Sequence, residues 1–128
     1  MLATTITAGF CGLLYFILSL RVIALRQAHG VSLGDGGNTA LLARIRAHAN
    51  FAEYVPIILI LMGLIETRTG TTEVLTASGV LLFLIRIAHA VGMALPAPNP
   101  WRMAGTGGTW VILSGLSAWA LVLAYTHG

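Results

Sequence analysis

No Asp, Glu, Lys or Arg occurs between Arg102 and the end of the chain, so everything from Met103 onward is apolar or weakly polar. A helix needs roughly 20 such residues to cross a bilayer, and the stretch 103–125 meets that length. Two more runs are nearly as apolar, about 3–25 and about 73–95. A fourth, about 39–66, is apolar chiefly over its second half, Val55–Ile65. Four potential spans in 128 residues leave almost nothing outside a membrane. Charged residues make up 9% of the chain, against about 25% in ordinary soluble domains. Four acids and seven arginines cannot cover the surface of a soluble fold. The sequence therefore reads as one all-α membrane domain over 1–128, a four-transmembrane-helix bundle, and not as a soluble or disordered protein.

Turn and cap residues separate the spans. Gly34-Asp35-Gly36-Gly37-Asn38 is a turn in which Asn38 caps the second helix. It is rich in glycine but lacks the pattern of a phosphate-binding loop. Gly70, Thr71, Thr72 and Glu73 supply a C-cap glycine, a capping hydroxyl and a first-turn acid. Pro96-Ala97-Pro98-Asn99-Pro100 ends the third helix, with Asn99 and Pro100 as N-cap and first residue of the fourth. The first span has no basic segment before its apolar run, so it is read as a retained helix and not a cleaved signal.

All seven cations are arginines, and lysine is absent. They are scattered singly through apolar runs, unlike a nucleic-acid-binding face. Arg21, Arg26, Arg44, Arg46, Arg86 and Arg102 flank the first and third connections, and Arg68 alone flanks the second. By the positive-inside rule the first and third connections are cytoplasmic and both termini lie outside. Cys11 is the single cysteine and lies in an apolar run, which suits a small packing residue. The histidines are too scattered for a metal site.

The chemistry-bearing stretch runs from Arg44 to Pro56. On a helix, Arg46, Asn50, Glu53 and Tyr54 fall within about 100° of one another, with Arg44 and His48 on the other side. Ionisable groups at membrane depth cost roughly 2.5–3.5 kcal/mol each on insertion scales, so this stripe faces protein or a polar ligand. One reading pairs Arg46 with Glu53 across two turns as a purely structural contact. The other treats the stripe as part of a site with Arg86 and His89 of the third span and Arg102 at the start of the fourth. Such a site, on the cytoplasmic side, suits a small zwitterionic peptide. Arginines take its carboxylates, Glu53 its ammonium and Asn50 its amides. Arg102 and the helix terminus together stabilise an anion, a thiolate included.

Arg46-Ala-His48-Ala-Asn50-Phe-Ala-Glu53-Tyr54-Val-Pro56 resembles the second-helix motif of the MAPEG family, the membrane-associated proteins of eicosanoid and glutathione metabolism. The Gly-Asp-Gly-Gly turn resembles the bacterial branch, and Arg86-Ile-Ala-His89 resembles the third helix of microsomal prostaglandin E synthases. The resemblance covers essentially the whole chain. It departs at Met93 and His89, where many relatives or the leukotriene-type branch carry tyrosine.

The resemblance implies a homotrimer in the bacterial inner membrane, with glutathione as co-substrate, bound between subunits near the cytoplasm without a metal. Arg26, Arg46, His48, Asn50, Glu53, Tyr54, Arg86 and His89 would line the glutathione site. Arg102 would stabilise the thiolate for attack on a hydrophobic electrophile or hydroperoxide from the bilayer. An alternative is a non-catalytic relative that binds glutathione or a protein or lipid partner. A proton-coupled four-span exporter is disfavoured, since it needs an acid in the first span and none is there.

Overall fold

The computed structural model describes residues 1–126. It comprises four helices: α1 (Leu2–His29), α2 (Thr39–Thr69), α3 (Glu73–Met93) and α4 (Pro100–Thr126). Each is long and apolar enough to cross a membrane, and no strand occurs among the described residues. The chain is an all-α four-helix bundle. α1 packs on α2 and α3, α4 packs on α2 and α3, and α1 and α4 do not meet. The two central helices thus bridge two outer ones.

The cap residues act as the sequence suggests. Asn38 accepts the backbone N–H of Leu41 at 2.9 Å, and Thr72 accepts that of Leu75 at 3.2 Å. Asn99 accepts the N–H of Arg102 at 2.9 Å, so α4 begins at Pro100, as the cap residues imply, three residues ahead of the apolar run. α1 runs past residue 25 to His29, because its polar last turn extends beyond the apolar stretch until Gly30, at φ 64°, turns the chain into a left-handed cap. α3 stops at Met93, two residues earlier than expected. Pro96 disfavours helical backbone at Leu95, and the freed carbonyl of Gly92 takes the Asn99 side-chain amide at 2.9 Å.

The core is apolar and layered. Cys11 and Leu18 of α1, Phe51, Val55, Ile58 and Met62 of α2, Leu82 and Ile85 of α3, and Ile112 and Leu116 of α4 pack together. The outward faces keep large exposed apolar side chains such as Phe10, Ile60 and Val111, as a lipid-facing surface requires. α3 and α4 approach backbone to backbone. A Cβ on Gly92 would collide with the backbone of Arg102, and one on Gly105 with the backbone of His89. Without lipid-excluding hydrophobic drive, close van der Waals packing of this kind is what joins membrane helices. Gly105→Ala is therefore expected to cost about 1–2 kcal/mol through overpacking, read as a lowered thermal midpoint in detergent. Gly107→Ala, which meets nothing within 4 Å, should instead hold or slightly raise the midpoint, since alanine is the better helix former.

Candidate functional site

The α2 stripe splits into an outward edge and an inward edge. On the outward edge Arg46 and Glu53 form an ion pair at 3.6 Å, each side chain about half exposed (52% and 50%). On the inward edge the Asn50 side-chain oxygen accepts from the Arg86 guanidinium at 2.9 Å. Arg86 is 1% exposed, the largest of the fully buried side chains. It also donates to the Thr109 hydroxyl at 3.3 Å and to Nδ1 of His89 at 3.4 Å. Its guanidinium carbon lies 5.5 Å from the centre of the Phe51 ring, in reach of a cation–π contact. Arginine has only donors, so Nδ1 of His89 accepts and the neutral ring carries its proton on Nε2. His89 is itself buried, at 3% exposure.

Asn50, Arg86 and His89 are thus brought together, joined by Thr109 of α4. Within one chain Arg86 and His89 have no open face to a ligand. Their effect on any site runs through Asn50, whose oxygen is held by Arg86 while its amide N–H groups stay free to donate.

A second grouping forms at the start of α4. The Tyr54 phenol oxygen accepts from the Trp110 indole N–H at 3.3 Å, so the phenol proton remains available to a further acceptor. Trp110 lines an open cleft of about 480 Å³ with Arg102, Asn99, Met103 and Thr106. The Arg102 guanidinium is exposed and makes no hydrogen bond or ion pair with any described residue. Arg102 and Trp110 of α4 thus line one surface depression, and Tyr54 of α2 connects to it through its hydrogen bond with Trp110.

Two residues lie elsewhere. His48 faces α1: its Nε2 is 2.9 Å from the Ser19 hydroxyl and its ring stacks on Tyr15 at 4.5 Å. This is the side opposite the stripe, where the helical spacing also puts it. Arg26 donates to the Gly34 carbonyl at 2.8 Å and pins the first connection onto the end of α1. Neither side chain meets the Arg46–Glu53 pair within one chain.

The profile of the MAPEG family matches residues 4–122, nearly the full chain and all four helices. The chain belongs to the MAPEG family. Similar proteins include the inner membrane protein YecN of Escherichia coli strain K12, 32% identical over 112 residues, which are 88% of this chain and 85% of that protein. YecN of Escherichia coli O6:H1 strain CFT073 matches to the same extent.

Within this MAPEG chain, several site-forming residues lie outside the second-helix motif. Trp110 and Thr109 sit on α4 in a run that reads as apolar, and no motif marks Trp110. Ser19 and Tyr15, which hold His48, are similarly hidden. Helical periodicity could have found Thr109, which falls two turns after Arg102 on the face that carries Gly105.

Proposed function

We propose that this MAPEG protein is an inner-membrane glutathione-dependent transferase or peroxidase. In this reading it activates the glutathione thiol for attack on a hydrophobic electrophile or hydroperoxide that arrives through lipid. The observation that carries it is the half-exposed Arg46–Glu53 pair on the flank of a membrane helix. The two charges pair with each other, as a purely structural contact also would, but half of each side chain stays uncovered. That is costly facing lipid and leaves both ends able to meet the carboxylate and ammonium of a zwitterionic peptide. Asn50, steadied by Arg86, and Tyr54, polarised by Trp110, add amide and hydroxyl donors beside the pair. A second copy of the chain closing over this flank would shield the pair, which agrees with the trimer that the family resemblance implies.

In mechanism, Arg46, Glu53, Asn50 and Tyr54 bind and orient the peptide. The unpartnered Arg102 guanidinium, in the first turn of α4, supplies positive charge where the thiolate forms, and the helix N-terminus adds to it. The thiol proton passes to water. The thiolate sulfur bonds to the electrophilic carbon in the adjoining cleft as that carbon's leaving group departs with its electron pair, so the rate gain comes from charge stabilisation and proximity. The inner-membrane placement rests on the four spans and on the location stated in the name of YecN. The excess of arginines flanking the first and third connections favours a site toward the cytoplasm.

Three readouts on the detergent-purified protein test this. Glutathione should raise its thermal midpoint, since a ligand bound only by the folded state stabilises it. It should also produce thiolate absorbance near neutral pH, and a chloronitrobenzene-type electrophile should be conjugated. If all three are absent the reading fails. Stabilisation without thiolate or conjugation would instead support a non-catalytic glutathione-binding protein.

A further inference from the structure

Arg21 of α1 and Arg44 of α2 lie together on a face of the bundle that the proposed glutathione site does not use. Arg44 donates to the Arg21 backbone carbonyl at 3.2 Å, which fixes one guanidinium stem against the other helix. Both residues are half-buried. They rim a narrow cleft between α1, α2 and the end of α3, with an apolar floor of Leu18, Ala47, Ala90 and Ala94. The floor has little more room than a water molecule, so a ligand would rest on the rim, where the guanidiniums are.

No acid answers these two charges. Among the described residues the single ion pair is Arg46–Glu53, and Asp35 accepts the Gly37 N–H in its own turn. Glu66 accepts from the first turn of α1, and Glu73 starts α3 at that same opposite end. The C-terminus of α3 is the other candidate partner. Its Val91 and Gly92 carbonyls are taken by Ala94 N–H, Leu95 N–H and the Asn99 amide, and no hydrogen bond joins them to Arg21 or Arg44.

The depth is informative as well. Thr4 marks one end of the bundle, where it meets Glu66. Arg21 lies about 26 Å further along α1, and Arg44 about 33 Å from Glu66 along α2, at about 1.5 Å per residue. Those lengths bracket the roughly 30 Å hydrocarbon thickness, so both guanidiniums sit at headgroup level. A lone arginine there needs no partner, because it can snorkel into water. Two arginines brought together, one fixed by a backbone bond, repel each other unless an anion lies between them.

We infer that Arg21 and Arg44 form a binding site for the phosphate of an anionic phospholipid headgroup, with an acyl chain free to run down the apolar outer faces of α1 and α2. Arginine suits this ligand because its planar fork can hold two phosphate oxygens at once.

The test is native mass spectrometry of the purified protein with equal amounts of phosphatidylglycerol and phosphatidylcholine. Each basic residue at the surface contributes roughly fivefold to anionic-lipid binding, so the wild type should retain phosphatidylglycerol in about 25-fold preference. Arg21→Gln should cut that preference about fivefold, and Arg21→Gln with Arg44→Gln should bring it to parity. Arg21→Gln keeps the carbonyl that Arg44 uses, so it remains a usable test if the double variant does not fold. Equal retention of the two lipids by the wild type would overturn the inference. So would an unchanged preference in the variants, or displacement of the lipid by millimolar inorganic phosphate, which would make a soluble anion the ligand.

Discussion

Arg102→Ala is expected to reduce glutathione conjugation about 10²–10³-fold, the usual loss when a single preorganised charge-stabilising donor is removed. Thiolate absorbance near neutral pH should vanish in the same variant, while glutathione should still raise the thermal midpoint. The separation follows from placement. Arg46, Glu53, Asn50 and Tyr54 lie on α2 and carry the proposed binding contacts, whereas Arg102 stands on α4 with its guanidinium uncommitted. Its backbone N–H is capped by Asn99 and its stem is exposed, so truncation leaves no buried group unpaired and folding should be unaffected. Arg102→Lys keeps the charge but loses the planar fork, and should recover part of the thiolate signal. An Arg102→Ala protein that still forms the thiolate would move the activating role elsewhere and leave the binding site standing.

Much of this arrangement was legible because membrane helices constrain sequence so tightly. Apolar length placed all four spans, and Asn38, Thr72 and Asn99 marked three helix starts because each cap is a local contact, three residues long. The α2 stripe was legible for the same reason, since helical spacing alone orders Arg46, Asn50, Glu53 and Tyr54. Contacts between distant segments were not. In sequence Arg86 reads, with His89, as a polar patch of the ligand site facing the α2 stripe. Its complete burial, and the use of its donors by Asn50, His89 and Thr109, depend on how α2, α3 and α4 cross. Carrying family positions across gave His48 and Arg26 as site residues. Within one chain their side chains meet Ser19 and the Gly34 carbonyl, contacts set by the packing of α1 on α2 for His48 and by the fold of the first connection for Arg26. Glu66 is the plainest case: in sequence it is one more acid beside the second connection.

In the folded chain Glu66 works as a cap borrowed from another helix, and its loss should be strongly destabilising. α1 begins at Leu2, and Met1 supplies no side-chain cap. Orphan N–H groups at a helix start need an acceptor, and the Glu66 carboxylate provides it, accepting from Ala3 and Thr4, each at 2.8 Å. It also accepts the Thr71 hydroxyl at 2.5 Å. Glu66 is 3% exposed, so its removal leaves three donors without a partner and takes a negative charge from the positive end of α1. Each buried donor left unmade costs about 1–3 kcal/mol. Water entering at the end of the bundle would recover part of that, so Glu66→Ala should destabilise by about 3 kcal/mol. The measurement is the thermal midpoint in detergent, together with amide hydrogen exchange at Ala3 and Thr4. Glu66→Gln keeps one acceptor oxygen and the same shape, and should lose roughly half as much. Arg68→Ala, one turn end away and exposed, should change neither readout. If Glu66→Ala leaves exchange at Ala3 and Thr4 as slow as in the wild type, the start of α1 is held by something other than this carboxylate.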